Sequence, residues 1–474
     1  MSSTRKYESK REERPIVTHC TIAGPRFYPL FREELDCLPQ ARDHQTAPYL
    51  FRLTKEIDSG FEILDAVAAC DVPEKFYFSA KDDPFILAGL GSALTLEATD
   101  TESLLAGFSD LWAANKSIPV FGGFSFYGDE NPAPEWDPFG HYRFTLPFVE
   151  ISKSPRGFHV AVNYVNAGKL SVRSVLKAIA EGLQDLDERF RHLPPSSKPF
   201  GLAVELIPDK SHWNSMIKKA LHSISEEVIN KIVLARKKII THAGFWDPAQ
   251  ILTTMSKIEE NSFTFFYQVN ENIAFMGRSP ERLFRLKDGH ILAEAIAGTR
   301  PRGKNVFDDQ RLEAELLDSA KERDEHRFVS GFIETKMRQH CSDVRMESRE
   351  EILKLKNVQH IITRFTGQAC GNAHPLSIAR AFHPTPAVGG YPQDKIFDHL
   401  KQSEPFHRGW YAAPIGWMNK TNADFAVGIR SALVNRNHLH IFAGAGIVRQ
   451  SNAQAEWSET EKKMDNFTAI LGDH

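Results

Sequence analysis

A mixed α/β (α+β) fold is predicted for this chain from three observations. Strand-like apolar runs alternate with helix-like stretches from about residue 16 to 190, and an antiparallel-looking run of strands precedes the C-terminus. The 474 residues, 42% hydrophobic and 25% charged, are enough to bury a large core.

Residues 1–15 are polar, carry both charge signs and are expected to form a mobile N-terminal tail; without an apolar centre they fit neither a secretory signal nor a transit peptide. Residues 16–195 form the N-terminal part of the fold. In it "FYFSA", "VFGGFSFYG", "HYRFTLPFVEI" and "GFHVAVNYV" read as strands, and "VRSVLKAIAEGLQDLDERFRHL" as a helix. The boundary is expected at "HLPPSSKPF", 192–200, where paired prolines and serines stop a helix.

Residues 200–474 form the second part. "SHWNSMIKKALHSISEEVINK" predicts a helix, then "KIVLARKKII", "SFTFFYQVN", "IAFMGR" and "HILAEAIAGT" predict strands, and one long helix is expected over 308–339. "APIGWM", "DFAVGIRSALV" and "HLHIFAGAGIVR" follow as strands before a closing helix. In "FAVGIRSALV" a period of two puts Phe425, Val427, Ile429 and Leu433 on one face and Ala426, Gly428, Arg430 and Ala432 on the other. Arg430 thus projects from a face cleared of bulk, where a guanidinium either grips a carboxylate or sits on a solvated sheet.

Several classes drop out. A formal charge of −3 and a pI near 6.7 leave no basic footprint for nucleic acid. "FILAGLGSALTL", 85–96, is too short for a membrane span, so a soluble cytoplasmic protein is expected. Cys20, Cys37, Cys70, Cys341 and Cys370 are scattered and read as reduced thiols rather than a disulfide or zinc framework. "GTRPRGKN" lacks the Ser or Thr of a phosphate-binding loop, and "FAGAGIVRQ" has Arg449 where a dinucleotide fingerprint needs glycine. Gly444 and Gly446 still let backbone N–H groups approach a carboxylate.

Glu322 and Glu325 stand three apart in "DSAKERDEHRFVSGFIE", as do Glu456 and Glu459 in "AEWSETEKKM". That spacing puts each pair on one helical face, and two such faces fit one metal site. Lys321–Glu325 and Glu459–Lys463, four apart, fit the commoner case of solvated pairs that only support their helices.

The ordered segments "NKIVLAR", "SPERLF", "AIAGTRPRG", "KERDEH", "VQHI", "HPTPAVGG", "GWYAAPIGW", "GIRSAL", "AGAGIV" and "AEWSETEKK" resemble the chorismate-utilising enzymes, the group of anthranilate, aminodeoxychorismate, isochorismate and salicylate synthases. The resemblance is dense over 200–470 and loose before it. It implies a large two-lobed fold like that of anthranilate synthase component I, two antiparallel sheets packed face to face with helices outside, with 200–474 as the chorismate-binding catalytic part. It also implies a Mg2+ site, with Glu325 and Glu459 as direct ligands and Glu322 and Glu456 holding metal-bound water. Magnesium's preference for oxygen ligands and retained waters agrees with that set.

For chorismate, a dianion, the resemblance points to Arg430, Tyr411 and N–H groups around Gly446 at the enolpyruvyl arm, and to Lys463, Thr299 and the metal at the ring carboxylate. His360 borders the pocket, and Gly298 and Ala387 complete the substrate-binding set. Aminodeoxychorismate synthases place a nucleophilic lysine where this chain has Ala297, and ammonia-adding members differ at Lys231. Water is therefore the expected nucleophile, with Lys231 as general base and Glu281 as general acid for the departing C4 hydroxyl. An ordinary lysine is uncharged in only about one of several thousand molecules at pH 7, so the base role demands a buried amine.

The implied activity is isochorismate synthase, an isomerase. Salicylate synthases, which go on to eliminate pyruvate, are the alternative; they tend to lack "HPTPA" and to carry Thr at the position of Ala387. A non-catalytic chorismate or metal-binding protein would show gaps among the acid, base and metal positions, and none is missing. The resemblance further implies no amidotransferase subunit, a monomer or weak dimer, and a role in menaquinone more than in siderophore biosynthesis.

Overall fold

The computed structural model describes residues 25–37, 49–58, 61–113, 115–128, 130–168, 170–190, 201–257, 261–355, 358–371 and 373–468. The expected tail, 1–15, and the expected boundary, 192–200, lie outside them.

The strand Tyr142–Ser154 is the branch point of the architecture. Ile86–Ala98 pairs along one of its edges; on the other, Gly157–Asn166 takes its C-terminal half and Val120–Phe124 its N-terminal half. From there two antiparallel arms diverge. The first runs from Ile86–Ala98 through Lys75–Ser79, Phe263–Asn270, Ile273–Ser279, Ser431–Asn435 and His438–Ile447 to Lys231–Thr241, with Ala203–Ile207 at its edge. The second runs from Val120–Phe124 through Pro414–Met418, Ala423–Val427, Arg282–Lys287, His290–Pro301 and Val358–Ala369 to Cys341–Lys354. The two expected sheets are thus joined through one shared strand.

Their inner faces meet in one core. Phe265, Phe275 and Phe442 of the first arm and Phe284, Ala293 and Phe425 of the second belong to a single buried cluster. Burying each phenylalanine stabilises the fold by about 1.5–3 kcal/mol. Strand alternation turns Phe266 and Met276 to the opposite face of the first arm. There the helices Phe27–Cys37, Ile63–Ala69, Val172–Glu188 and Pro248–Ser256 cover them. Among the described residues no helix is long and apolar enough to cross a membrane, and Cys70, Cys341 and Cys370 are free thiols.

Two sequence expectations need correction. The single helix over 308–339 is two, Val306–Asp318 and Ala320–His340, because Ser319 leaves helical geometry and its hydroxyl accepts the Glu322 N–H at 3.4 Å. "FAVGIRSALV" is likewise two strands, Ala423–Val427 and Ser431–Asn435, with Arg430 between them in the left-handed region at φ 50°. The strict alternation fails there because the chain crosses from the second arm to the first. Pro280 and Glu281 occupy the reverse crossing, between Ile273–Ser279 and Arg282–Lys287. Backbone hydrogen bonds from Val427 N to Glu281 O and from Arg278 N to Arg430 O tie the two crossings together.

Candidate active site

A cavity opens at these crossings. Strand Lys231–Thr241 and its partner His438–Ile447 supply Val233, Phe442, Gly444 and Gly446; strand His290–Pro301 supplies Ala297, Gly298 and Thr299. Helix Ala320–His340 adds Lys321, Glu322 and Glu325, and the closing helix Ala453–Thr468 adds Glu459 and Lys463. Glu281, His360, Ala387, Tyr411 and Arg430 also line the cavity. Of the residues singled out from sequence, Lys231 and Glu456 stand behind this lining, each reaching it through an ion pair.

Lys231 begins its strand and is fully buried. Its Nζ lies 2.9 Å from Glu325 Oε1, without the angle of a directed hydrogen bond. Bare backbone at Gly446 makes this contact possible: a Cβ there would lie 2.5 Å from Glu325 Oε1 and 3.2 Å from Lys231 Cε. Glu281 is also buried, and the Thr385 hydroxyl donates to its carboxylate at 3.3 Å. Burial pushes the Glu281 pKa up to about 7, against the opposing charge of Lys231.

The four glutamates proposed for a metal each hold a basic side chain. Glu322 accepts from Arg300 at 2.8 Å and from the Thr299 N–H at 3.0 Å. Glu325 faces Lys231, Glu459 faces Lys463 at 2.7 Å, and Glu456 faces Lys321 at 3.0 Å. Lys321 therefore does not serve the local pair with Glu325 that its spacing allows; it ties its helix to the closing helix. Burial raises the Glu456 pKa, and the charge of Glu459 adds to the rise. Burial acts to raise Glu459 too, but the adjacent Lys463 outweighs it and holds that carboxyl below its ordinary value. All donors are carboxylate oxygens, which suits a hard divalent ion. Among the described residues no three acidic, histidine or cysteine side chains converge closely enough to enclose one.

On the substrate side, the Tyr411 ring stacks on Phe442 at 5.1 Å between centroids, and Lys463 donates to Gly444 O at 2.9 Å. His360 Nδ1 lies 3.2 Å from Gly298 O and 3.0 Å from Thr299 Oγ1. A carbonyl only accepts, so Nδ1 carries the proton and Nε2 is left as a buried acceptor without a protein partner. Burial, reinforced by Arg430 and Lys463, lowers the His360 pKa to about 3, so the ring is neutral. Gly298 adopts φ 78°, open to glycine at little cost, and Ala297 offers the cavity only a methyl group.

Sequence reasoning missed the parts played by Thr385, Lys321 and Arg300. All three fall inside the segments "HPTPAVGG", "KERDEH" and "AIAGTRPRG", which was the signal available for them.

The sequence profile of the chorismate binding enzymes matches residues 36–472. The chain is similar to the isochorismate synthase MenF of Bacillus subtilis (strain 168), 36% identical over 358 residues that cover 74% of each protein. Among solved structures, MenF, the menaquinone-specific isochorismate synthase from Escherichia coli, matches with a TM-score of 0.80 at 22% identity, covering 94% of this chain and 98% of that one. Anthranilate synthase component I from Streptococcus pneumoniae TIGR4 matches with a TM-score of 0.65 at 20% identity, over 84% and 93%. At such identities the two structures speak to the fold.

Proposed function

We propose that this chain, which belongs to the chorismate-binding enzyme family, is an isochorismate synthase, an isomerase that adds water at C2 of chorismate and expels the C4 hydroxyl. The observation that carries this reading is a fully buried lysine and a buried, proton-retaining carboxyl at one cavity, Lys231 and Glu281. Lys231 takes a proton from the attacking water as its oxygen bonds to C2. Both ring double bonds shift, from C1=C2 to C1=C6 and from C5=C6 to C4=C5, the C4–O bond breaks, and Glu281 gives its proton to the departing hydroxyl, which leaves as water. One water enters and one leaves, so substrate and product are isomers. Ala297 presents no amine to compete as nucleophile.

Arg430, Tyr411 and the backbone around Gly446 are proposed to hold the enolpyruvyl carboxylate, and Lys463 and Thr299 the ring carboxylate. Gly298 and Ala387 leave room for the ring, and neutral His360 offers Nε2 as an acceptor for a substrate hydroxyl. Glu325 and Glu459 would hold Mg2+ directly, and Glu322 and Glu456 its water. The bound ion supplies positive charge for the ring carboxylate. Each of these glutamates already faces a lysine or arginine, which supports a place built for counter-charge.

In this reading the enzyme is cytoplasmic, works without an amidotransferase as a monomer or weak dimer, and supplies isochorismate for menaquinone or siderophore synthesis; likeness to MenF favours menaquinone. The test is to incubate the purified protein with chorismate, with magnesium and with EDTA, and to identify products by chromatography. Magnesium-dependent isochorismate is expected. Salicylate with pyruvate would instead make it a salicylate synthase, and no product at all would leave a binding protein.

A further inference from the structure

We propose that Lys81 and Asp82, in the turn between strands Lys75–Ser79 and Ile86–Ala98, are positioning residues that clamp Glu281 from both sides. The inference rests on the reading of Glu281 as the acid. Lys81 Nζ donates to Pro280 O, the carbonyl just before Glu281, at 2.7 Å. Asp82 takes the guanidinium of Arg282, the residue just after Glu281, through two hydrogen bonds of 2.8 and 2.5 Å. Between these grips the Glu281 N–H donates to Ser279 Oγ at 3.2 Å and its carbonyl accepts from Val427 N at 3.0 Å. The acid is thereby fastened to the N-terminal part of the chain, about two hundred residues away in sequence.

Lys81 and Arg282 are themselves buried charges, whereas Asp82 is partly exposed. Lys81 pairs with Glu294 at 2.5 Å, their side chains 4% and 1% exposed. Arg282 is fully buried, pairs with Asp424 at 2.9 Å and lies over the Phe263 ring at 4.9 Å. Desolvating such groups is costly, and apolar side chains of like volume commonly do as well for stability. Stability alone therefore does not account for charges here, whereas a fixed position for one carboxyl does. The groups facing Glu281 are Lys231, the Thr385 hydroxyl, Lys81 and Glu294, and the last two oppose one another. Removing Lys81 leaves Glu294 less opposed, so Glu281 should keep its proton to higher pH.

The test uses the full chain carrying Lys81→Met, Lys81→Arg, Asp82→Asn or Glu281→Gln, with folding checked by circular dichroism. Lys81→Met is expected to lower kcat by ~10²-fold, the cost of a small misplacement, with KM little changed. Its alkaline limb of kcat against pH should move upward, and Lys81→Arg should bring the limb back. Asp82→Asn should lower kcat ~10-fold with the limb in place. A wild-type rate or an unmoved limb in Lys81→Met overturns the clamp. If Lys81→Met does not fold, Asp82→Asn decides, an unchanged kcat overturning it. Full activity in Glu281→Gln would sink the assignment of the acid itself, whereas an inactive Glu281→Gln beside a normal Lys81→Met sinks only the clamp.

Discussion

Lys231 Nζ sits 2.9 Å from Glu325 Oε1, joining the first residue of a strand to a helix far along the chain. The proposed base and a proposed metal ligand thus share one contact. Lys231→Ala is expected to lower turnover by at least ~10²–10⁴-fold, the usual worth of a general base, while leaving folding and chorismate affinity largely intact. Steady-state rates together with calorimetric titration of chorismate check this; a near-normal rate would remove Lys231 from the chemistry.

Glu281 sets the expected pH dependence. Its pKa is raised to about 7, and the acid role needs the protonated form, so kcat should fall as pH rises through that value. His360, neutral down to about pH 3, adds no limb in the neutral range. Glu281→Gln keeps the shape but has no proton to give, and should cost ~10²–10⁴-fold and abolish the alkaline limb. A profile recorded at saturating chorismate decides it.

Gly446→Ala should disturb the Lys231–Glu325 contact without replacing either residue. The new methyl would lie 2.5 Å from Glu325 Oε1, so the carboxylate has to move and the Lys231 contact opens. A fall in kcat of ~10–10²-fold is expected, the cost of a misplaced group. A wild-type kcat would show that the close approach at Gly446 is dispensable.

Behind the cavity, Arg408 and Glu404 form a fully buried ion pair at 2.5 Å. Arg408 also donates to Val233 O at 2.6 Å and Val388 O at 2.7 Å, and Glu404 accepts from Ala235 N at 2.8 Å. The pair fastens the Lys231 strand to the segment carrying Ala387. Arg408→Ala leaves Glu404 buried and unpaired, and should lower stability by ~3–5 kcal/mol in urea denaturation. A loss well under 1 kcal/mol would show that the pair is not a structural joint.

Much of the fold is legible locally. "SFTFFYQVN" and "IAFMGR" read as strands because their apolar density reflects burial on both faces, seen in the opposed burial of Phe265 and Phe266. The break at Ser319 was missed although it left a signal: "SAKE" is the serine and glutamate pattern of a helix start, obscured by helix-forming residues on either side. Cys341–Lys354 was not legible. "CSDVRMESREEILK" is charged and mostly exposed, and it is a strand because Val358–Ala369 offers it an edge to pair with.

The same division runs through the site. Local spacing by itself determined that Glu322 and Glu325, and likewise Glu456 and Glu459, share a helical face, and the order of short segments determined the family. Only the tertiary structure decided that Lys321 reaches Glu456, that Arg430 and Glu281 stand at adjoining crossings between two arms, and that Lys81 and Asp82 grip the neighbours of the acid. Periodicity reports the few neighbours within one turn or one pleat, whereas ion pairs and crossings depend on which distant surfaces the buried core brings together.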